Sequence, residues 1–224
     1  MKGFSGNPAV NNFESGLPGE EEIDDGLGLL VRKKFLYHGS GISGIRLFNA
    51  AEEDTVGSGV YLTSEAKDAT GYARRRSKQE RYPQRADGKP VIADSVPILY
   101  ETSIENLKVL DLRKSQNVKK ILDGFKEVLH QKLINLDVND SKSYWLQRLL
   151  HRAIDTIDAW KVGSGNLKEV AFNTGKWFSE YCVSLGYDGL VTLEGGEGEE
   201  VGNHDTYVIF DPKKVRVEKE QKVS

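Results

Sequence analysis

Up to about residue 27 the chain shows no apolar period: it is rich in Gly, Asn and Pro, then turns acidic at Glu20-Glu21-Glu22 and Asp24-Asp25. A segment with no face to bury cannot offset the entropy of ordering it, so residues 1–28 are predicted as a flexible acidic arm. The alternative is an acidic segment that folds over a basic site. From Leu29 the character changes. Phe35-Leu36-Tyr37 and Val60-Tyr61-Leu62 are short, bulky runs that suit strands. Glu65 to Lys78 is predicted as a helix that begins near Ser64, whose hydroxyl can cap it. Residues 79–95 form a polar loop. Ile98–Ile104 and Leu107–Leu112 then look like two strands joined by Glu105-Asn106.

The middle of the chain is helical. Val118, Ile121, Leu122, Phe125, Val128, Leu129 and Leu133 recur at spacings of three and four, which gives one apolar stripe. Tyr144, Trp145, Leu149, Ile154, Ile157 and Trp160 suggest a second helix, and Leu167 to Leu185 a third. Strands return at Gly189–Leu193, Tyr207–Phe210 and Val215–Val217, with the glycine-rich acidic loop Glu194-Gly195-Gly196-Glu197-Gly198-Glu199-Glu200 after the first. Strands, a helical segment at about 116–186 and further strands predict an α+β domain over 29–218, followed by a tail at 219–224.

Composition narrows the class only a little. With 224 residues, 38% hydrophobic and 29% charged, the chain reads as one soluble globular core. A net charge of −3 gives no overall pull toward nucleic acid or anionic membrane, so any such contact needs a local patch. The one cysteine, Cys182, excludes an internal disulfide and sits among Trp177, Phe178, Tyr181 and Leu185 as an inert buried thiol. No apolar run is long enough to span a bilayer and no signal pattern opens the chain, so a cytoplasmic protein is expected, or one delivered by a route that needs no signal. His130 and His151 lack partners at ligand spacing, and no metal is expected.

The chemistry concentrates at strand ends. Tyr37-His38-Gly39-Ser40 and Gly57-Ser58-Gly59-Val60-Tyr61-Leu62-Thr63 each join an apolar run to glycine and hydroxyl residues, and Tyr72 follows Tyr61 by eleven residues. Glycine lets a ligand approach the backbone closely, while two tyrosines and a histidine can stack on a flat ring and hold a sugar hydroxyl. That combination suggests a nucleotide pocket. Taken singly, each of these residues fits a core or surface role as well.

In order, Leu36-Tyr37-His38-Gly39-Ser40, Gly59-Val60-Tyr61-Leu62-Thr63, Tyr72-Ala73, Gly186-Tyr187-Asp188-Gly189-Leu190 and Thr206-Tyr207-Val208-Ile209-Phe210-Asp211-Pro212-Lys213-Lys214-Val215 resemble the motifs of ADP-ribosyltransferases. The match is to the diphtheria-toxin-like and poly(ADP-ribose)-polymerase-like branch with its His-Tyr-Glu triad, especially the small domains of bacterial and phage toxins and polyvalent proteins. The resemblance implies a split fold of two facing antiparallel sheets with an NAD cleft between them. It implies that His38 holds a ribose hydroxyl of NAD and that Gly39 offers its backbone to the nicotinamide carboxamide, where a side chain would obstruct. Tyr61 and Tyr72 would sandwich the nicotinamide ring, and Ser40 would bond the adenosine side. NAD is then the substrate, and the protein is expected to be a toxin, effector or phage-defence enzyme with an antitoxin or regulatory partner.

The chain departs from this pattern where the family glutamate would precede Tyr207, because Thr206 stands there. A glutamate binds the ribose 2′-OH and stabilises the developing cation; threonine does only the first, weakly. Three readings stay open: a nearby carboxylate (Asp205, Glu200, Glu199, Glu197 or Glu194) substitutes, the acceptor supplies its own base, or the fold binds a nucleotide without turning it over. Ala69 is a second departure, since similar enzymes often place a serine there that donates to the nicotinamide carbonyl; Thr70 is expected to compensate. Transfer of single ADP-ribose units, not polymer, is the expected activity. Arg74-Arg75-Arg76-Ser77-Lys78, with Arg81, Arg85 and Lys89 beyond, could grip phosphates of NAD or of a nucleic-acid acceptor, with Tyr82 stacking on a base, or could be a solvated helix end. His204 is expected to be a loop residue, with a role at the acceptor as the alternative.

Overall fold

The computed structural model describes residues 21–50, 58–78, 96–136, 141–161, 167–194 and 204–223. In chain order these form β1 (Glu21–Asp24), β2 (Gly28–Ser40), β3 (Val60–Thr63), α1 (Ala66–Lys78), β4 (Ile98–Asp111), α2 (Ser115–Ile134), α3 (Ser141–Lys161), α4 (Leu167–Ser184), β5 (Gly189–Glu194), β6 (His204–Ile209) and β7 (Arg216–Lys222). The strands hydrogen-bond in the order β1-β2-β3-β6-β5-β4-β7, and β2 also pairs with β4, so five strands close into a ring. The chain is therefore a mixed α and β protein. In place of two separate sheets it has one continuous sheet that bends back on itself.

The β2–β4 ribbon makes that closure possible. Along β4, Ile98–Ser103 pair with β7 while Val109–Asp111 pair in parallel with β5. Along β2, Leu29–Lys33 pair with β1 and Tyr37 pairs with β3. Each long strand thus changes neighbour partway along and links the two walls. Glu105-Asn106, expected as a turn between two strands, lies inside β4, with Arg32's neighbours Val31 and Lys33 facing Leu107 and Glu105. Buried Ile104 is followed by buried Leu107, an odd step that alternation alone would send to opposite faces. Asn106, at φ 54, absorbs the half-turn that keeps both in one core, and asparagine tolerates that left-handed backbone.

Both termini of the domain need correction. Glu21–Asp24, counted in the flexible arm, pair with β2, and residues 219–222, counted as a tail, belong to β7 on the outer edge of β4. The acidic residues of β1 meet cations and a hydroxyl. Tyr207 Oη donates to Glu22 Oε1 at 2.7 Å, Lys34 lies 3.1 Å from the same oxygen, and Lys114 pairs with Asp24. β7 alternates charges instead of apolar residues, as an exposed edge strand should.

Two hydrophobic clusters result. The inner one lies within the ring and includes Val31, Leu36, Val60, Leu62, Tyr100, Tyr207 and Ile209. The outer one joins α2, α3 and α4 to the sheet through Phe125, Leu129, Leu150, Ile157 and Phe178 packed with Leu190 and Val208. Phe125 and Phe178 meet edge-on at 5.1 Å, and burying each such side chain contributes about 1.5–3 kcal/mol. Cys182 is wholly buried here, and burial pushes its thiol up to about 12. None of the described helices is long and apolar enough to cross a membrane.

Candidate functional site

The face of β3 and β6 turned away from the inner cluster carries two of the expected residues, Tyr61 and Thr206, together with His204. Side chains alternate across a strand, so Val60 and Leu62 enter the inner cluster while Tyr61 packs on the outer one. Tyr61 lies opposite Val208, and Thr63 opposite Thr206, which in turn lies opposite Thr192 on β5. A row of three buried threonines, Thr63, Thr206 and Thr192, therefore crosses the sheet where the resemblance implies a carboxylate. Along β6 the same face presents His204, Thr206 and Val208. His204 meets α1 and Val208 meets the helical layer, so Thr206 lies between α1 and the helices.

His38 lies near the end of β2, and its ring stands against Phe48 and Tyr100 of the inner cluster. Its Nδ1 lies 2.8 Å from the carbonyl oxygen of Tyr61, and a carbonyl only accepts, so Nδ1 carries the proton. The neutral ring then keeps a lone pair on Nε2, which suits it to accept from a hydroxyl. Phe48 meets the ring edge-on at 4.7 Å. Burial holds the imidazole pKa below its ordinary value, and the Arg76 cation adds to this, against the opposing bond to Tyr61. Tyr100 supports the loop under His38, as its hydroxyl donates to Ile42 O at 2.8 Å and accepts from Ile45 N at 3.2 Å.

Gly39 and Ser40 serve the fold as well as any ligand. A Cβ on Gly39 would strike the carbonyl oxygen of Ala69 and lie 2.7 Å from Ala73 N, so α1 occupies the space a side chain would need. Ser40 is buried and its Oγ accepts from Ile42 N at 3.0 Å. Thr70, expected to replace a donor missing at Ala69, instead donates its hydroxyl proton to Ala66 O at 2.8 Å, one turn back in α1. It keeps only lone pairs for a ligand. The hydroxyl at the start of α1 that receives a backbone N–H is that of Thr63, which accepts from Glu65 N at 3.1 Å.

Tyr72 lies on α1 with the Arg75 guanidinium 4.6 Å from its ring centre. Arg74, Arg75 and Arg76 are exposed on this helix, which ends at Lys78. Arg81, Tyr82, Arg85 and Lys89 lie outside the described residues, as do Glu197, Glu199 and Glu200.

Asp205 is not on the candidate face. Alternation turns it to the side of Tyr207, where its Oδ2 accepts from Arg113 Nη1 at 2.6 Å. Arg113 also donates from Nε and Nη2 to the two oxygens of Asp111, at 2.9 and 3.1 Å. Asp205 thus anchors the strand from behind. Asp205→Asn is expected to lower the thermal midpoint by about 2–4 °C, the equivalent of roughly 1 kcal/mol, and to leave any turnover at this site unchanged. A melting curve beside a turnover assay checks both halves.

His204, expected in a loop, is instead a wholly buried residue of β6 whose Nδ1 lies 3.4 Å from Asp68 Oδ2. Its ring meets Tyr72 edge-on at 6.0 Å. Asp68 belongs to none of the motifs that stand out in the sequence, although it precedes Tyr72 by four residues on a predicted helix and so shares its face.

No family model matches the chain, and no curated protein matches it in sequence. Among solved structures, the chain is similar to one in the crystal structure of the M. tuberculosis MbcT–MbcA toxin–antitoxin complex, with a TM-score of 0.44 and 10% identity, covering 88% of this chain and 87% of that one.

Proposed function

We propose that this chain is a mono-ADP-ribosyltransferase, which moves ADP-ribose from NAD to a macromolecular acceptor and releases nicotinamide. The observation that carries this reading is the hydrogen bond from His38 Nδ1 to Tyr61 O, which fixes the tautomer suited to accept from a ribose hydroxyl. In the reaction the C1′–N bond of the nicotinamide riboside breaks and its electron pair neutralises the nicotinamide ring. The cationic C1′ then takes an oxygen or nitrogen of the acceptor, which loses a proton. Little covalent chemistry is asked of the protein; positioning and charge stabilisation do most of it. Tyr61 and Tyr72 would flank the departing ring, each contact contributing about 0.5–1.5 kcal/mol beyond burial. The exposed Arg74, Arg75 and Arg76 beside Tyr72 suit a phosphate-bearing substrate or a nucleic-acid acceptor. A toxin, effector or phage-defence setting with a regulatory partner follows from the resemblance.

One observation favours a second reading. The row Thr63, Thr206 and Thr192 carries hydroxyls where a carboxylate would stabilise the cation, which suits a module that binds NAD or ADP-ribose without cleaving it. Nicotinamide release from labelled NAD, measured with and without cell lysate, separates the two. Tyr61→Ala is expected to weaken NAD binding at least tenfold by calorimetry. Unchanged affinity in that variant would remove the proposed stack, and a wild-type protein that neither binds nor consumes NAD would remove the reading altogether.

A further inference from the structure

Asp68 and His204 form a buried polar pair that the proposed chemistry does not use. They come from different elements: Asp68 opens α1 and His204 opens β6. A buried carboxylate needs a polar partner, and here His204 Nδ1 lies 3.4 Å from Asp68 Oδ2, with the two side chains 0% and 8% exposed. Tyr72 stands one helical turn beyond Asp68, so both side chains project from the same face of α1. The His204 ring meets the Tyr72 ring at 74° and 6.0 Å, while Arg75 stacks over it at 4.6 Å. Tyr72 is therefore held from two directions, and one of the two groups is itself fixed by a carboxylate. His204 also shares its strand face with Thr206, two residues on.

From this geometry we infer that Asp68 and His204 are positioning residues: together they fix the ring of Tyr72 so that it is already in place when nicotinamide enters. This inference rests on the proposed NAD site and adds a specific means of holding one wall of it. The physical basis is ordering. A ring that must be ordered by the ligand takes its entropy from the binding energy, whereas a ring ordered in advance does not. In the proposed site only the nicotinamide end of the dinucleotide would touch Tyr72, so ADP-ribose, which lacks that end, is a probe that shares the rest of the site.

The test compares NAD and ADP-ribose binding by calorimetry in the full chain and in Asp68→Asn, His204→Gln and Tyr72→Ala. Asp68→Asn is nearly isosteric and serves if His204→Gln fails to fold. The expected result is a two- to tenfold loss of NAD affinity in either variant, with ADP-ribose affinity held within twofold. In a Tyr72→Ala background the same substitutions should add nothing further, because they act through that ring. Unchanged NAD affinity in folded variants overturns the inference and leaves the NAD site standing. Equal loss for both ligands, or a loss that persists without Tyr72, also overturns it and makes the pair a general brace of the fold. A wild-type chain that binds ADP-ribose but not NAD overturns it too. If the wild type binds neither, the NAD site itself fails and the inference falls with it.

Discussion

Gly39→Ala is expected to destabilise the fold by more than about 3 kcal/mol and to lower the thermal midpoint by roughly 6–12 °C. The added methyl would run into the Ala69 carbonyl and lie 2.7 Å from Ala73 N, both main-chain atoms of α1. A flexible side-chain end could step aside, but a helix backbone has to move as a body. α1 has little room to do so, because Ala69 and Ala73 are fully buried against β2 and Asp68 is pinned at His204. Gly44→Ala is the control. That glycine has φ 75, and a methyl added to it would meet nothing within 4 Å, so only the left-handed backbone is strained, at about 1–2 kcal/mol. Melting both variants by circular dichroism decides the point: a Gly39→Ala protein as stable as Gly44→Ala would mean α1 is not seated on β2. The same displacement would shift Tyr72, so NAD affinity should fall as well. Lost binding in Gly39→Ala therefore cannot be assigned to a contact between the glycine backbone and nicotinamide.

What could be read from the sequence follows from how local each signal is. The stripe from Val118 to Leu133 marks α2 because one helix buries one face whatever it packs against. β1 and β7 leave no such mark because edge strands take their stability from a neighbour. Glu22, Asp24 and Glu218 look like solvated charge until Lys34, Lys114 and Ser103 stand beside them. The break at Glu105-Asn106 looks like a turn because alternation stops there. Only the matched β2 strand, which shifts its own buried positions from Val31 to Leu36, turns that break into a roll of the ribbon. The site was partly legible in the same way. Register sets Tyr61 and Thr206 on one face of β3 and β6, while the His38 ring reaches the Tyr61 backbone from the side of Phe48 and Tyr100. Asp205 was a poor candidate on a simple rule: adjacent residues of a strand face opposite sides, so it could not share a face with Thr206. By the same rule His204 could share it, and by the helical period Asp68 could share one with Tyr72.

His38→Asn is expected to fold and to lose at least a hundredfold in nicotinamide release. Asparagine places an amide N–H close to where Nδ1 stands, so the bond to Tyr61 O at 2.8 Å survives, while nothing replaces the Nε2 acceptor. In the proposed reaction, losing the group that orients ribose would let C1′ drift from its acceptor, and misplacements of about 1 Å cost rates of this order. The pH profile gives an independent check. The burial that lowers the His38 pKa keeps the accepting form of the ring populated below the ordinary imidazole value of 6.5. Wild-type turnover should then stay level from neutral pH down through 6.5 and fall only in more acid solution. Stability follows the same sign. Between the lowered folded value and the ordinary unfolded one, the unfolded chain binds more protons. This group's contribution is therefore complete above about 6.5 and is lost as pH falls toward the folded value. His38→Asn should remove that slope from the melting data as well as the activity. Wild-type-like nicotinamide release in a folded His38→Asn protein would return His38 to a structural brace between β2 and β3. An acid limb centred above 6.5 would mean that some other group sets the active protonation state.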